Sequence, residues 1–397
     1  MAASLDRFLP AKGRVLDPFA GVGTTLLEAV LAGHDAVGFE INPYAAFACR
    51  TKLEAFTADP ESLRDQANCF LQFHARNGAG APKSTPPAGF RTREAFYHPK
   101  VLHKVLVSLD FMEAIEDPQT RDLFRLAFAA TMVSYSNYSY EPSLGRKAAV
   151  GRVAATEFPV DASIASRLLE MSADIHWFRE QQGNRRPRRR VVLDSFFDAY
   201  RRVTKESVDL IVTSPPYLNN YHYNRNTRPQ LYWLGLVEST RELKEIEQRN
   251  FGKFWQTVRE QPNVELDPEI TDPEIIDILK ELRSKTPEKG IYGGRGWANY
   301  ATTYFNDCLR FARGAYWSLR PGASALVVIG NSILQGIPVP TDRFLAQIAG
   351  AVGLEAVAIH IPRNTRVGNS IINSEVRVGP AGRRNRLYEA VVELKRP

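Results

Sequence analysis

The pentapeptide Thr213-Ser214-Pro215-Pro216-Tyr217 constrains this 397-residue chain more than any other stretch. It follows Val208-Asp209-Leu210-Ile211-Val212, an apolar run of the kind that forms a buried strand. Two consecutive prolines fix the backbone and remove two N–H donors. A row of carbonyl acceptors, one hydroxyl and one aromatic ring are left to point outward. Open α/β sheets hold their ligands at such strand ends. A flat ligand carrying an NH₂ group, such as a nucleobase, suits this tip. Taken alone, the same residues also read as an ordinary Pro-rich turn.

A second stretch narrows the choice. Leu16-Asp17-Pro18-Phe19-Ala20-Gly21-Val22-Gly23-Thr24-Thr25 follows the short strand candidate Gly13-Arg14-Val15 and precedes a helix-forming run over residues 26–31. Gly21 and Gly23 lack a Cβ, so a bulky ligand can lie against the backbone and the chain can take positive φ. The helix N-terminus behind them suits a carboxylate. Asp17, at the strand end, can accept from an ammonium group. A ligand with both an amine and a carboxylate fits. A third apolar run, Ala36-Val37-Gly38-Phe39, ends in Glu40-Ile41-Asn42-Pro43. An acid about this far beyond a glycine turn takes ribose hydroxyls in nucleotide-binding folds. The competing reading of Glu40 is a surface or capping residue. Asn42-Pro43 opens the next helix, over residues 44–54. No Gly-x-Gly-x-x-Gly and no Gly-Lys-Ser/Thr occurs in this region, which argues against dinucleotide and P-loop sites.

The string Asp17-Pro18-Phe19-x-Gly21-x-Gly23-Thr24-Thr25 and the tetrad Ser214-Pro215-Pro216-Tyr217 resemble the cofactor and catalytic motifs of one family. These are the S-adenosylmethionine-dependent methyltransferases that modify exocyclic amines of DNA bases. The resemblance covers about half the chain and implies S-adenosyl-L-methionine as cofactor. It implies cofactor contacts at Asp17, Phe19, Gly21, Gly23, Thr24, Thr25, Glu40 and Asn42. Asp194, which ends the strand candidate Val191-Val192-Leu193, would accept from the cofactor's adenine amine; a helix cap is its alternative role. Catalysis would fall to Ser214, Pro215, Pro216 and Tyr217 acting on a base flipped out of duplex DNA. In that family Ser at the first position is commoner with cytosine N4 and Asp with adenine N6, so Ser214 favours cytosine. An RNA base methyltransferase and a non-catalytic nucleic-acid-binding protein of the same fold are the alternatives. The family also has a cofactor-contacting segment before Asp-Pro-Phe, where this chain has only about a dozen residues, and the long stretch before Asp194 fits none of its common motif orders.

Strand candidates near residues 14, 37, 191, 208, 325, 357 and 389 predict an α/β fold. The expected form is a seven-stranded Rossmann-like methyltransferase sheet with large, mainly helical insertions. The final strand pair is joined by a loop, which predicts a terminal antiparallel hairpin. The expected division is a cofactor half at 1–58 and a helical insertion at 59–190, a candidate for target recognition. The catalytic motif lies in 191–237, a charged insertion that could contact DNA in 238–298, and the last strands in 299–397. Helices are expected at 61–76, 100–115, 121–136, 161–179, 229–235 and 300–319. Two basic stretches, 184–190 and 363–386, are phosphate-contact candidates.

Three scattered cysteines, Cys49, Cys69 and Cys308, and seven histidines show no metal-ligand spacing, so no metal is expected. No Pro-Cys pair occurs, which removes the nucleophile that carbon-5 cytosine methylation needs. Sparse cysteine, no 18-residue apolar run and no leader-like N-terminus point to a cytoplasmic protein without a membrane span. The net charge of +7 shifts the expectation toward a polyanionic partner, DNA. The sequence is silent on oligomeric state.

Overall fold

The computed structural model describes residues 5, 7–9, 11–140, 143–153, 155–219, 221, 223–363 and 387–397. The chain forms two compact units: residues 1–41, 187–222 and 245–397 in one, residues 42–186 and 223–244 in the other. In chain order, β1 (Arg14–Asp17), α1 (Thr24–Leu31) and β2 (Asp35–Phe39) open the first unit. Helices α2 (Pro43–Glu54), α3 (Pro60–Asn77), α4 (Pro99–Glu113), α5 (Pro118–Thr131) and α6 (Val160–Gln182) belong to the second. Strands β3 (Arg189–Val192) and β4 (Val208–Thr213) return to the first unit, and α7 (Tyr223–Trp233) lies in the second. The unit boundary falls within α8 (Thr240–Arg249). The first unit is completed by α9 (Pro273–Ser284), α10 (Gly294–Ser318), β5 (Leu319–Gly330), α11 (Thr341–Ala351), β6 (Glu355–Arg363) and β7 (Glu389–Lys395).

The sheet has the order β6-β7-β5-β4-β1-β2-β3. Its pairings are parallel from β3 through β2, β1 and β4 to β5, and β7 is antiparallel to both β5 and β6. This is the expected seven-stranded methyltransferase sheet with a reversed strand near its end. The apolar runs form parallel strands because parallel strands are covered on both faces. Val15, Leu16, Leu210 and Ile211 are fully buried. The chain winds outward from β1 to β3 on one side and from β4 to β5 on the other. The switch point of an open α/β sheet, where ligands bind, therefore lies between β1 and β4.

Several boundaries differ from the sequence reading for packing reasons. The first compact stretch ends at Ile41 rather than 58, because α2 buries Phe47 and Ala48 in the helical unit's core with Phe70, Phe124 and Phe128. Segment 238–298 does not stand apart: Phe251, Val258, Ile270 and Ile275 join the core beside the sheet. Helix α7 begins at Tyr223 and carries Pro229 inside it, where the proline suggested a start. The expected helix at 121–136 stops at Thr131, and Tyr138–Tyr140 then pairs antiparallel with Leu144–Arg146. Helix α10 starts at Gly294, earlier than the expected 300. Among the described residues, no helix is long and apolar enough to cross a membrane, and no cluster of His, Cys, Asp or Glu could hold a metal ion.

Candidate active site

The two motifs emerge side by side. The parallel register Leu16↔Ile211 brings the ends of β1 and β4 to the same rim of the sheet. There the Thr213 hydroxyl donates to Asp17 Oδ1 at 2.6 Å, and both residues are buried. The Phe19 N–H donates to the same oxygen at 3.0 Å. Burial raises the Asp17 pKa above its ordinary value, although hydrogen bonds from Thr213, Thr25 and the Phe19 amide work against it. A buried carboxylate in this setting gains much from a cationic partner.

The glycine turn beyond Asp17 is open on its outer side. Gly21 has φ +52° and Gly23 φ +92°, the left-handed region that favours glycine. A Cβ on Gly21 would meet nothing within 4 Å, so its backbone borders free space. Gly23 caps α1 without any side-chain hydrogen bond, which leaves the first-turn N–H groups open to an anion. Thr24 is exposed there, and Thr25 is buried with its hydroxyl on Asp17. The Gly21 N–H donates to Glu40 Oε2 at 2.9 Å, tying the tip of β2 to the turn. Gly38 makes that approach feasible, because a Cβ there would lie 2.5 Å from Leu26 Cδ1 and 2.8 Å from Ala20 Cβ.

The tetrad Ser214–Tyr217 is held from behind. Tyr304 on α10 donates its hydroxyl to the Pro216 carbonyl at 3.1 Å, and Ser332 Oγ donates to the Leu218 carbonyl. The Tyr217 hydroxyl donates to Glu389 Oε1 at 3.2 Å, and its half-buried ring packs against the core beside the sheet. The Ser214 hydroxyl is exposed, and neither it nor the Pro215 carbonyl bonds to any described residue. Two unbonded acceptors, exposed Ser214 and buried Pro215, thus sit on a braced turn.

Three candidate cofactor residues have more engaged surroundings than the sequence suggested. Phe19 packs edge-on against Phe251 at 5.1 Å and close to Phe311. Asp194 accepts from Arg202 Nε and Nη2 at 3.2 and 3.1 Å, from the Ser195 N–H at 2.9 Å, and from Arg249. Burial alone would raise its pKa, but the Ser195 amide and the two guanidinium groups hold the carboxyl below its ordinary value. Ser195, not Asp194, caps the following 3₁₀ turn Phe196–Arg201. Asn42 lies in the helical unit, where its Oδ1 caps α2 through Tyr44 and Ala45, and its Nδ2 donates to Asn224 and Thr227.

Gly38, Arg249, Phe251 and Tyr304 take part in this arrangement without having been singled out, and Thr213, the first residue of the opening pentapeptide, was given no role of its own. Only Thr213 carried a readable signal, a hydroxyl one residue past an apolar strand. Of the basic stretches, Arg188 donates its N–H to Asp35 Oδ1 at 2.8 Å, at the strand-start rim opposite the two motifs. The stretch beyond Arg363 through Arg386 lies outside the described residues.

The sheet order and the strand reversed near its end are those of a Rossmann-like methyltransferase fold. The chain is 24% identical to the Type II methyltransferase M.BsoBI of Geobacillus stearothermophilus, an alignment covering 92% of this chain and 78% of that protein. It is 23% identical to the Type II methyltransferase M.MvaI of Kocuria varians, over 85% of this chain and 74% of that protein. No family model matches. Both of these relatives are Type II methyltransferases, and this chain is similar to them over most of its length.

Proposed function

We propose that the protein moves a methyl group to the exocyclic amine of a base flipped out of duplex DNA. Cytosine N4 is favoured over adenine N6, and the reaction is sequence-specific. The hydrogen bond between Thr213 and Asp17 carries this reading, because it couples an amine-holding turn to a turn suited to an amino acid's two charges.

The residues fit S-adenosyl-L-methionine. Asp17 would take the methionine ammonium, and the open first turn of α1 at Thr24 and Thr25 its carboxylate. Gly21 and Gly23 leave room for the chain of the ligand, and Glu40 has a carboxylate at the strand tip suited to ribose hydroxyls. Phe19 would border the same pocket. Asn42 is assigned to capping α2 instead. Four donors already occupy Asp194, about as many as a carboxylate has lone-pair sites. Its assigned work is therefore to anchor Arg202 and Arg249, with any contact to an adenine amine requiring Arg249 to yield.

Bound there, the cofactor supplies an electrophilic methyl on a sulfonium. An exocyclic amine is a poor nucleophile, since its lone pair is delocalised into the ring. Ser214 Oγ and the Pro215 carbonyl would accept its two hydrogens and weaken that conjugation. The lone pair is then aimed in line with the methyl, and orientation supplies much of the acceleration. The same two acceptors stabilise the positive charge that grows on nitrogen. Pro215 and Pro216 keep the carbonyl in place, and Tyr217 offers the flipped base a stacking surface worth about 1–3 kcal/mol.

Incubation with labelled cofactor and unmethylated plasmid DNA, followed by mass analysis of the nucleosides, tests this directly. N4-methylcytosine is expected. N6-methyladenine would overturn the choice of base, and label confined to an RNA substrate would overturn the choice of nucleic acid.

A further inference from the structure

The head of α10 carries a feature that methyl transfer does not use. In Tyr292-Gly293-Gly294-Arg295-Gly296, a Cβ on Gly293 would lie 2.3 Å from the Thr286 carbonyl oxygen. On Gly294 it would lie 1.7 Å from that of Leu282, and on Gly296 2.2 Å from that of Ile291. Close backbone approach demands all three glycines, and the tight packing fixes the residue before them. Tyr292 is nevertheless 60% exposed. Its ring is backed by Arg259, whose guanidinium carbon lies 4.8 Å from the Tyr292 centroid and 4.7 Å from that of Trp255. Trp255 in turn stacks on the buried Trp297 at 5.3 Å and 23°. Arg295 is exposed nearby. A large ring held rigidly in solvent costs hydrophobic free energy unless something covers it.

The course of α10 locates this ring. Near its end, the Trp317 and Ser318 carbonyls accept from the Glu206 and Ser207 amides at 3.0 Å each, just before β4 begins. At Tyr304 the helix reaches Pro216, just after β4 ends. It therefore climbs from the strand starts to the strand tips and continues past them. Gly294 precedes Tyr304 by ten residues, roughly 15 Å further along the axis. Tyr292 and Arg295 stand beyond the tetrad on the side away from the sheet. A duplex that presents a flipped base to Ser214 and Tyr217 has to lie on that side.

We infer that Tyr292 and Arg295 form a DNA-docking element beside the extruded nucleotide. Tyr292 stacks on a base left uncovered by flipping, and Arg295 pairs with a phosphate. The inference rests on the function proposed above. Glu288 lies close by in the chain, and Glu260 pairs with Arg259 at 3.3 Å. The case therefore stands on the backed ring and on a guanidinium that pairs with no described residue, not on net charge.

The test compares the wild type with Tyr292→Ala, Tyr292→Phe and Arg295→Ala. Affinity is measured for fluorescein-labelled fragments of the unmethylated plasmid that carry the methylated site, across a salt series, alongside cofactor affinity and methyl transfer to the same plasmid. Tyr292→Ala is expected to weaken DNA binding about tenfold or more, and Tyr292→Phe, which keeps the ring, to bind like the wild type. Arg295→Ala should reduce the slope of log Kd against log salt by about one. Cofactor affinity should stay unchanged in all three. An active wild type whose Tyr292→Ala variant binds DNA normally overturns the docking element alone, as does an equal loss of cofactor affinity. A wild type that transfers no methyl to DNA overturns the proposed function itself.

Discussion

The Thr213 hydroxyl donates to Asp17 Oδ1 across the switch point of the sheet, joining residues 196 positions apart in the chain. Asp17 ends β1 just before the glycine turn, and Thr213 immediately precedes the Ser214–Tyr217 tetrad. A short bond between buried partners fixes the spacing of two turns that, in the proposed reaction, cooperate on one methyl group. Thr213→Val keeps the shape and removes the donor, leaving a buried carboxylate short of a partner at a cost of about 1–3 kcal/mol. Cofactor affinity is expected to fall about tenfold or more, and Thr213→Ser should restore most of it. Isothermal titration of the three proteins measures this. Equal affinity in Thr213→Val and wild type would mean that the bond is structural only.

The proposed reaction gives the two turns separable tasks. Asp17→Ala should abolish cofactor binding. Pro215→Ala and Tyr217→Ala should lower methyl transfer at least about tenfold while the cofactor still binds. Single-turnover transfer rates together with cofactor titrations separate the two. If both kinds of variant lost cofactor affinity alike, this division of labour would be wrong.

The parts that could be read from the chain are those where a local pattern and a chemical need coincide. Val208–Val212 had to be a buried strand, Pro215-Pro216 had to end it, and Gly21 and Gly23 had to turn. The seven strands and the reversed last pair followed from apolar runs and the length of their connections. What stayed hidden is long-range. Nothing adjacent in sequence says that Phe251 packs on Phe19, that Arg249 reaches Asp194, or that Tyr304 braces Pro216. Segment 238–298 looked like a charged appendage because its acids and bases dominate, while its few apolar residues are the ones that enter the core. The role of Asn42 was hidden for a related reason. Capping a helix and contacting a ligand ask for the same side chain, and the sequence does not show that Asn42 also donates to Asn224 and Thr227.

Gly38 is a strand glycine whose absence of side chain lets α1 and the glycine turn close on β2. In Gly38→Ala the new methyl would meet Leu26 Cδ1 at 2.5 Å and Ala20 Cβ at 2.8 Å. Overpacking of this kind costs about 1–3 kcal/mol, and because Ala20 leads into Gly21 the shift should reach the cofactor turn. Gly350, inside α11 with nothing within 4 Å of a built Cβ, is the control. Gly350→Ala should stabilise by about 0.4–1 kcal/mol. Urea unfolding of both variants checks the opposite signs, and Gly38→Ala should also weaken cofactor binding.

The aromatic contacts behind Phe19 rest on an ionisable group. Asp307 on α10 accepts from the Gly252 N–H at 3.0 Å, next to Phe251, and faces Lys253 and Arg310. Burial pushes its pKa up to about 6 against the attraction of those cations, and burial likewise lowers that of Lys253. Since Asp307 is raised above its unfolded value of 3.8, the folded state holds its proton more tightly. Its favourable contribution is complete below that unfolded value and is lost as pH rises through about 6. The total is on the order of 3 kcal/mol. Asp307→Asn keeps an acceptor for Gly252 and cannot titrate. Its stability relative to the wild type should therefore improve steadily from pH 4 to pH 7 and then level off. Urea midpoints of the two proteins across that range measure the difference. A difference independent of pH would show that Asp307 titrates alike in the folded and unfolded chains, and its burial would then lack the consequence assigned to it.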